Sequence, residues 1–430
     1  MRHSLRIAAL LLALLLALTP LLTACAGGEQ NPDAAIGGES GGGGESGNNG
    51  GSQSGNRPTE GGDEGGSQTE TQGDTQGGTP TTPTEPAPAP DPDDGNLYYE
   101  LADGYVFALG SANRSATAVT VPATHKGKAV TGIVAEAFLN CTALTSVTLP
   151  DSITAIGDQA FAGCTALTSV NLPASLTHID NRAFMGCTSL ASVTTSVGCA
   201  LSTLGIYVWS GCSALASVTL PDSVTTLPAG TFYGCTTLSV APIGSAVSQI
   251  DDFAFAGCIA LTDVTLPATL STIGISAFAD CTSLACIDLP NALTTLSASA
   301  FAGCTALHTA TLPEALTTLS ANVFKGCLVL ENVNLPSALR SINTSAFEGC
   351  AALQTISLPN ALKIIQPRAF ANSGLTKVWC DLEDSNWIAN GMQADGETPV
   401  TNAAFYFGDP SVTAEVLSLS AYINCTFERR

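Results

Sequence analysis

The segment TALTSVTLPDSITAIGDQAFAGC, residues 142–164, is followed at once by TALTSVNLPASLTHIDNRAFMGC, and nearly the same 23-residue string returns down most of the chain. Its punctuation is Cys141, Cys164, Cys187, Cys212, Cys235, Cys258, Cys281, Cys304, Cys327 and Cys350, spaced by 23 except for the 25 between Cys187 and Cys212. An aromatic residue stands three positions before each, from Phe138 to Phe347 with Trp209 in place of one phenylalanine; Phe370 continues the series with Ser373 where the cysteine would be. A fixed period in the twenties is the mark of a solenoid, because one such unit cannot cover its own apolar side and a stack of units can. This excludes a pocket assembled from distant segments as the chain's organising principle.

Within one copy the pattern changes period. In LTSVTLP, residues 144–150, Leu144, Val147 and Leu149 point inward while Ser146 and Thr148 alternate outward, as in a strand of a parallel sheet. Pro150 cannot donate to a ladder and ends it. SITAIG then turns the chain with Ile153 and Ile156 inward, and Gly157 is read as relaxing the corner. Ala160, Phe161 and Cys164 follow at a spacing that places one side of a short helical or 3₁₀ turn on the core. The predicted class is therefore an α/β solenoid.

The pattern L-x-x-L-x-L-P-x-x-L-x-x-I-x-x-x-A-F-x-x-C resembles the BspA-like, Treponema-type leucine-rich repeat, over about Leu97 to Asp409. The resemblance implies a right-handed stack with a parallel β-sheet on one face, short helical or 3₁₀ turns on the other, and caps at both ends. It divides the chain into a hairpin cap and first repeat (97–141), repeats (142–373) and a closing element (374–430) that contains Trp387. Two copies depart from the pattern near residues 192–243: one is two residues longer and uses Trp209, and the next carries Pro242 inside its strand. The junction at Ser373-Gly374 is one residue short.

Ahead of the repeats, Arg2 and Arg6 precede a Leu/Ala run that is too short to span a bilayer, which needs about 20 apolar residues. Residues 1–24 read as a secretory signal peptide. Leu22-Thr23-Ala24-Cys25 resembles a bacterial lipobox, which would make Cys25 the lipidated first residue of the mature chain; an ordinary cut near Ala24 is the alternative. Residues 25–96 are rich in Gly, Ser, Thr, Glu and Pro and lack aromatic residues, so a disordered tether is expected. Thirteen Asp and Glu against Arg57 alone place a large share of the −22 net charge in this tether. Acidity of that order disfavours nucleic-acid binding, which wants a basic stripe, and is accounted for by solubility.

Fifteen cysteines in an exported chain invite a disulfide framework. Ladder cysteines in register would sit about 4.8 Å apart, however, whereas bridges prefer Cβ atoms at about 3.8 Å. They are read as small buried apolar residues, with a Cys380–Cys425 bridge left open at the C-terminal cap. No C-x-x-C, nucleophile elbow, phosphate loop or dinucleotide fingerprint is present, so neither catalysis nor a cofactor is expected. Asp251-Asp252 falls on a repeat corner, and Asp381, Glu383 and Asp384 lack the spacing of a calcium loop.

What remains is surface. The outward strand positions form a field of short polar side chains, and the candidate binding residues are Thr265, Asp288, Thr309, Thr311, Asn332, Asn334, Thr355 and Ser357. Such a face suits a protein or glycan partner, since short hydrogen-bonding groups lose little entropy on binding; equally, Ser and Thr are good residues for a tight ladder. The family includes adhesins that bind host extracellular proteins, so the resemblance implies attachment to host or neighbouring cells; the chain is expected to be a monomeric, non-catalytic protein at the cell surface, held to the membrane through a lipid anchor only. A cell-envelope spacer and, less favoured, a solute-binding lipoprotein are the rival readings.

Overall fold

The computed structural model describes residues 95–366 and 368–380, with the strands Ala404–Phe407 and Phe427–Arg429. The chain opens with an antiparallel hairpin, Leu97–Leu101 against Gly104–Ala108. The second hairpin strand then pairs in parallel with Lys128–Ile133. From there each copy lays a strand beside its predecessor so that equivalent positions of the repeat pair, as in Val170↔Val193 and Ile156↔Ile179.

A copy has three sides. The first is the expected strand, such as Ser169–Leu172, whose Val170 and Leu172 are buried and whose Ser169 and Asn171 are exposed. The second is a strand of two residues, such as Ala155–Ile156 or His178–Ile179, stacked in its own parallel ladder. The third runs through the aromatic residue and the cysteine, and here the structure corrects the expected helical or 3₁₀ turn. Among the described residues the only helical element is a 3₁₀ turn at Ser111–Asn113, outside the repeats.

The third side is instead a run of tight turns whose amides are shared in two directions. Ala160, Ala162 and Cys164 donate N–H locally to the carbonyls of Gly157, Gln159 and Phe161, while Gln159, Phe161 and Gly163 donate across to Asn181, Ala183 and Met185 of the next copy. Cross-copy bonding requires left-handed backbone at fixed places: Gln159 has φ 52° and Gly163 φ 72°. A helix needs φ near −63° throughout, so it cannot form here. The left-handed site before each cysteine holds Gly in most copies and Asn140, Asp280 or Asn372 in others, the residue types that tolerate it. Gly157, by contrast, is not left-handed. A Cβ there would lie 2.6 Å from the backbone N of Ala135, so the glycine permits close approach of two copies.

The core is a column. From Phe138 to Phe370 the rings stack with centroids 4.6–6.4 Å apart and planes within 17° of each other, inside the range that aromatic pairs prefer. Phe107 of the hairpin extends the column at 5.8 Å from Phe138. Each ladder thiol from Cys164 to Cys350, Cys199 and Cys286 standing outside the ladder, donates to the carbonyl of the preceding copy's aromatic residue, as Cys281 Sγ does to Phe255 O at 3.3 Å. Eleven cysteines are free and buried, which leaves the whole ladder as thiols. Cys425 and the side chain of Cys380 lie outside the described residues, as do Cys25, Trp387 and the carboxylates Asp381, Glu383 and Asp384. No helix among the described residues is long and apolar enough to cross a membrane.

The two irregular copies interrupt the ladders without breaking the column. The first-side sheet stops at Ser217–Val218, survives as the single bridge Val240↔Asp263, and resumes at Cys286–Asp288. Pro242 has no N–H to give to the preceding copy, which accounts for the loss of pairing with Ser217–Val218; the sheet is interrupted again between Asn332–Asn334 and Thr355–Leu358, where neither strand holds a proline. The second-side ladder breaks between Thr203–Leu204 and Thr226–Leu227, after the long copy, and again between Thr295–Leu296 and Thr318–Leu319, in regular copies.

Candidate functional site: the polar strand face

Three strands, Cys286–Asp288, Thr309–Thr311 and Asn332–Asn334, form one in-register parallel sheet. Their central residues Ile287, Ala310 and Val333 are buried, which turns the flanking residues to water by the two-residue alternation. Thr309 therefore lies beside Asn332, and Asp288, Thr311 and Asn334 make a second row. Thr355 and Ser357 are also exposed, on a strand (Thr355–Leu358) that pairs onward with Lys377–Cys380 and not back to Asn332–Asn334. Thr265 is exposed in the interrupted stretch, outside any strand. The structure thus gathers Asp288, Thr309, Thr311, Asn332 and Asn334 into one sheet, and sets Thr265 and the Thr355/Ser357 pair on separate segments of the same side.

Many of the chain's hydroxyls are already committed internally. At one corner Thr145 Oγ1 donates to Thr117 O at 2.7 Å, and Thr168 Oγ1 to Thr145 O at 3.2 Å. At another, Thr177 Oγ1 donates to Thr154 O at 2.9 Å, and Ser271 Oγ to Ser248 O at 3.0 Å. On the strand face of the early copies Thr194 and Asn171 bond each other, and Asn171 also reaches Ser196. Ser146, Thr148, Ser169, Ser217 and Thr219 on that face are exposed and make no side-chain hydrogen bond with described residues, and the later copies follow the same pattern. Thr311 Oγ1 donates to Asp288 Oδ1 at 2.8 Å, but Thr309, Asn332, Asn334, Thr355 and Ser357 make no side-chain hydrogen bond with described residues and are exposed.

The other candidate chemistries resolve into structure. Asp251 accepts from the Gln249 amide at 2.5 Å, and Asp252 caps the N–H of Ile275 at 2.6 Å, so the pair serves its corner. Burial pushes the thiols of Cys258, Cys304 and Cys350 up to about 12, which removes their nucleophilic form at neutral pH. No group of three or more His, Cys, Asp or Glu among the described residues is placed to hold a metal ion. Glu348, almost fully buried, is held at about 2 by the Arg368 guanidinium 2.6 Å away, with Ser345 and Lys325 assisting against its desolvation. This triad clips three successive copies together.

The family model described as "BspA type Leucine rich repeat region" matches in six copies, over residues 115–239 and 248–377. The chain belongs to the BspA-type leucine-rich-repeat family. Among solved structures, this BspA-type chain is similar to a leucine-rich cell surface protein from Faecalibacterium prausnitzii A2-165, with 23% identity, a TM-score of 0.50, and coverage of 70% of this chain and 96% of that one. It is also similar to the leucine-rich repeat protein of T. pallidum, with 32% identity, a TM-score of 0.41, and coverage of 45% and 90%. A leucine-rich repeat protein from Bacteroides ovatus gives 23%, 0.49, 78% and 98%. No curated protein matches the chain. The BspA-type match indicates a repeat family and no enzyme family, and repeat proteins of this class act through protein interaction.

Sequence reasoning missed a second set of surface residues. Met185, Ile206, Tyr233, Phe253 and Ile275 are exposed on the turn side of the middle copies. The signal was available: the same positions hold Ala, Ser, Asn or Thr in neighbouring copies such as Ala302, Ser299 and Thr344.

Proposed function

We propose that this protein is a non-catalytic, adhesin-like binding protein of the bacterial cell surface, anchored by a lipid on Cys25 and lifted from the membrane by residues 25–96. The binding face is the polar strand face of the later copies. One observation carries it: Thr309, Asn332, Asn334, Thr355 and Ser357 are exposed on one side of the stack and make no side-chain hydrogen bond with described residues. A row of preorganised, unsatisfied donors and acceptors favours a protein or glycan partner bound through many modest hydrogen bonds. The surface location follows the F. prausnitzii relative, itself a cell surface protein.

The test is a binding comparison against purified extracellular-matrix proteins and cell-wall glycan. Replacing Thr309, Thr311, Asn332 and Asn334 by Lys puts bulk and like charge on two adjacent strands; the exposed heads reach water, so the fold survives while binding falls sharply. Lysines at Ser297, Ser299, Ser320 and Asn322, on the turn side, serve as the control. Loss of binding in the control with normal binding in the strand-face variant refutes the assignment of the face.

A further inference from the structure

The turn side of the middle copies carries a strip that neither the core nor the strand face explains. Tyr207 and Phe253 occupy the same repeat position two copies apart, and both have left-handed backbone, φ 57° and 59°. A bulky aromatic in that region is a genuine conformational outlier. Phe253 gains no core burial in return, being 37% exposed. The intervening copy has Gly230 at this position, and a Cβ there would lie 2.1 Å from the Tyr207 ring. The Tyr207 ring thus lies over a glycine that leaves room for it. Ile206 and Ile275 flank these aromatics, and Tyr233 (47% exposed) and Met185 lie on the adjacent row. Cross-copy bonds fix the strip: Tyr207 N to Ala229 O, Gly230 N to Asp252 O, and Phe253 N to Ile275 O. The cross-copy amides impose left-handed backbone on this position in every copy, so it is the exposed apolar side chains gathered there that mark the strip as a contact surface.

Charge identifies the occupant. From residue 183 to residue 324 the sequence contains no Lys or Arg; of the carboxylates in that stretch Asp251, Asp252 and Asp280 fall on the turn side, while Asp263 and Asp288 belong to the strand side. Asp251 and Asp252 adjoin Phe253, and Asp280 follows Ile275 by five residues. A second copy of this chain would set carboxylates against carboxylates, and an anionic lipid surface would be repelled in the same way. We propose that this strip binds a protein segment whose apolar side chains are flanked by lysines or arginines, a cationic amphipathic partner, at a site separate from the strand face.

The test uses the full chain and two labelled peptides of equal charge, an amphipathic Leu/Lys helix and a Lys/Ser control, with affinity read by fluorescence anisotropy at two salt concentrations. The Leu/Lys peptide is expected to bind at least tenfold more tightly than the control. Tyr233→Ser with Phe253→Asn should lower its affinity at least tenfold; both side chains are exposed, and Asn accepts the left-handed backbone. Asp251→Asn with Asp280→Asn should weaken binding several-fold, most at low salt, and should leave the fold intact because Asn140 already occupies the Asp280 position in another copy. Thr309→Ala with Asn332→Ala should leave the affinity for the Leu/Lys peptide unchanged, which separates this site from the strand-face reading. Equal binding of the two peptides, or indifference to the Tyr233/Phe253 substitutions, overturns the proposal. Self-association abolished by those substitutions replaces the partner with a second copy, and vesicle binding abolished by them replaces it with lipid; either result also overturns it.

Discussion

Phe255 sits in the middle of the aromatic column, fully buried, 5.3 Å from Phe232 and 5.1 Å from Phe278 by ring centroid. Phe255→Ala removes a large core side chain and two stacked pairs together. Core Phe→Ala substitutions cost about 3–5 kcal/mol, and each aromatic pair is worth about 0.5–1.5 kcal/mol beyond its area. Collapse offers little relief, because the flanking copies are hydrogen-bonded to this one through Phe232 N to Ala254 O and Phe255 N to Ala277 O. The expected loss is therefore toward the upper end, about 4–5 kcal/mol. Copies exchange stability only with their neighbours, so the damage should be local. Hydrogen exchange read by mass spectrometry should show faster opening over residues 236–281 than over residues 141–164. Protection unchanged along the chain would falsify the stacked-column account, and a uniform loss would mean the repeats unfold as one unit.

Three further outcomes follow from other parts of the molecule. The ladder thiols, with Cys258, Cys304 and Cys350 pushed up to about 12, should resist iodoacetamide at pH 8 in the native protein and react fully under denaturing, non-reducing conditions; a majority recovered as disulfides contradicts the structure. Glu348, at about 2 folded against 4.5 in the reference state, contributes stability above pH ~4.5 that is lost as pH falls toward ~2. Glu348→Gln should therefore destabilise by about 2 kcal/mol at pH 7, after allowing for its half-exposed cationic partners, and the difference from wild type in chemical denaturation should vanish near pH 2. Cys25→Ala, with cleavage of the signal peptide verified, should move the protein from the membrane pellet to the supernatant; retention through a high-salt wash counts against the lipid anchor.

The inward half of each repeat is legible in the order of residues. Leu144, Ile153, Ile156, Phe161 and Cys164 recur at fixed spacing, and all are buried, because burial in a solenoid is decided by position within the period and position is written in the sequence. The break after Ser217–Val218 is legible too, since Pro242 lacks a donor whatever surrounds it, whereas the break between Asn332–Asn334 and Thr355–Leu358 has no such mark. The turn side is not. Residues such as Gln159, Arg182 and Ser299 have no common chemistry, yet all adopt positive φ there, because the constraint comes from amides bonding a neighbouring copy and not from local propensity. The alternation of Gly with Asn and Asp before the cysteine is the one clue to this backbone.

Residue order thus dictates that copies stack, which side chains fill the column, and where one ladder must fail. It can do so because period, apolarity and the missing N–H of proline are properties of residues in order along one chain. The stacked fold alone decides which hydroxyls are spent on a neighbour and which face water, as Thr168 does the first and Thr309 the second. The same holds for Tyr207, Tyr233 and Phe253, scattered in sequence and brought to one side by the stack. The physical reason is distance: residues 23 apart along the chain become nearest neighbours in the ladder, and hydrogen bonds and surface patches are made between neighbours in space.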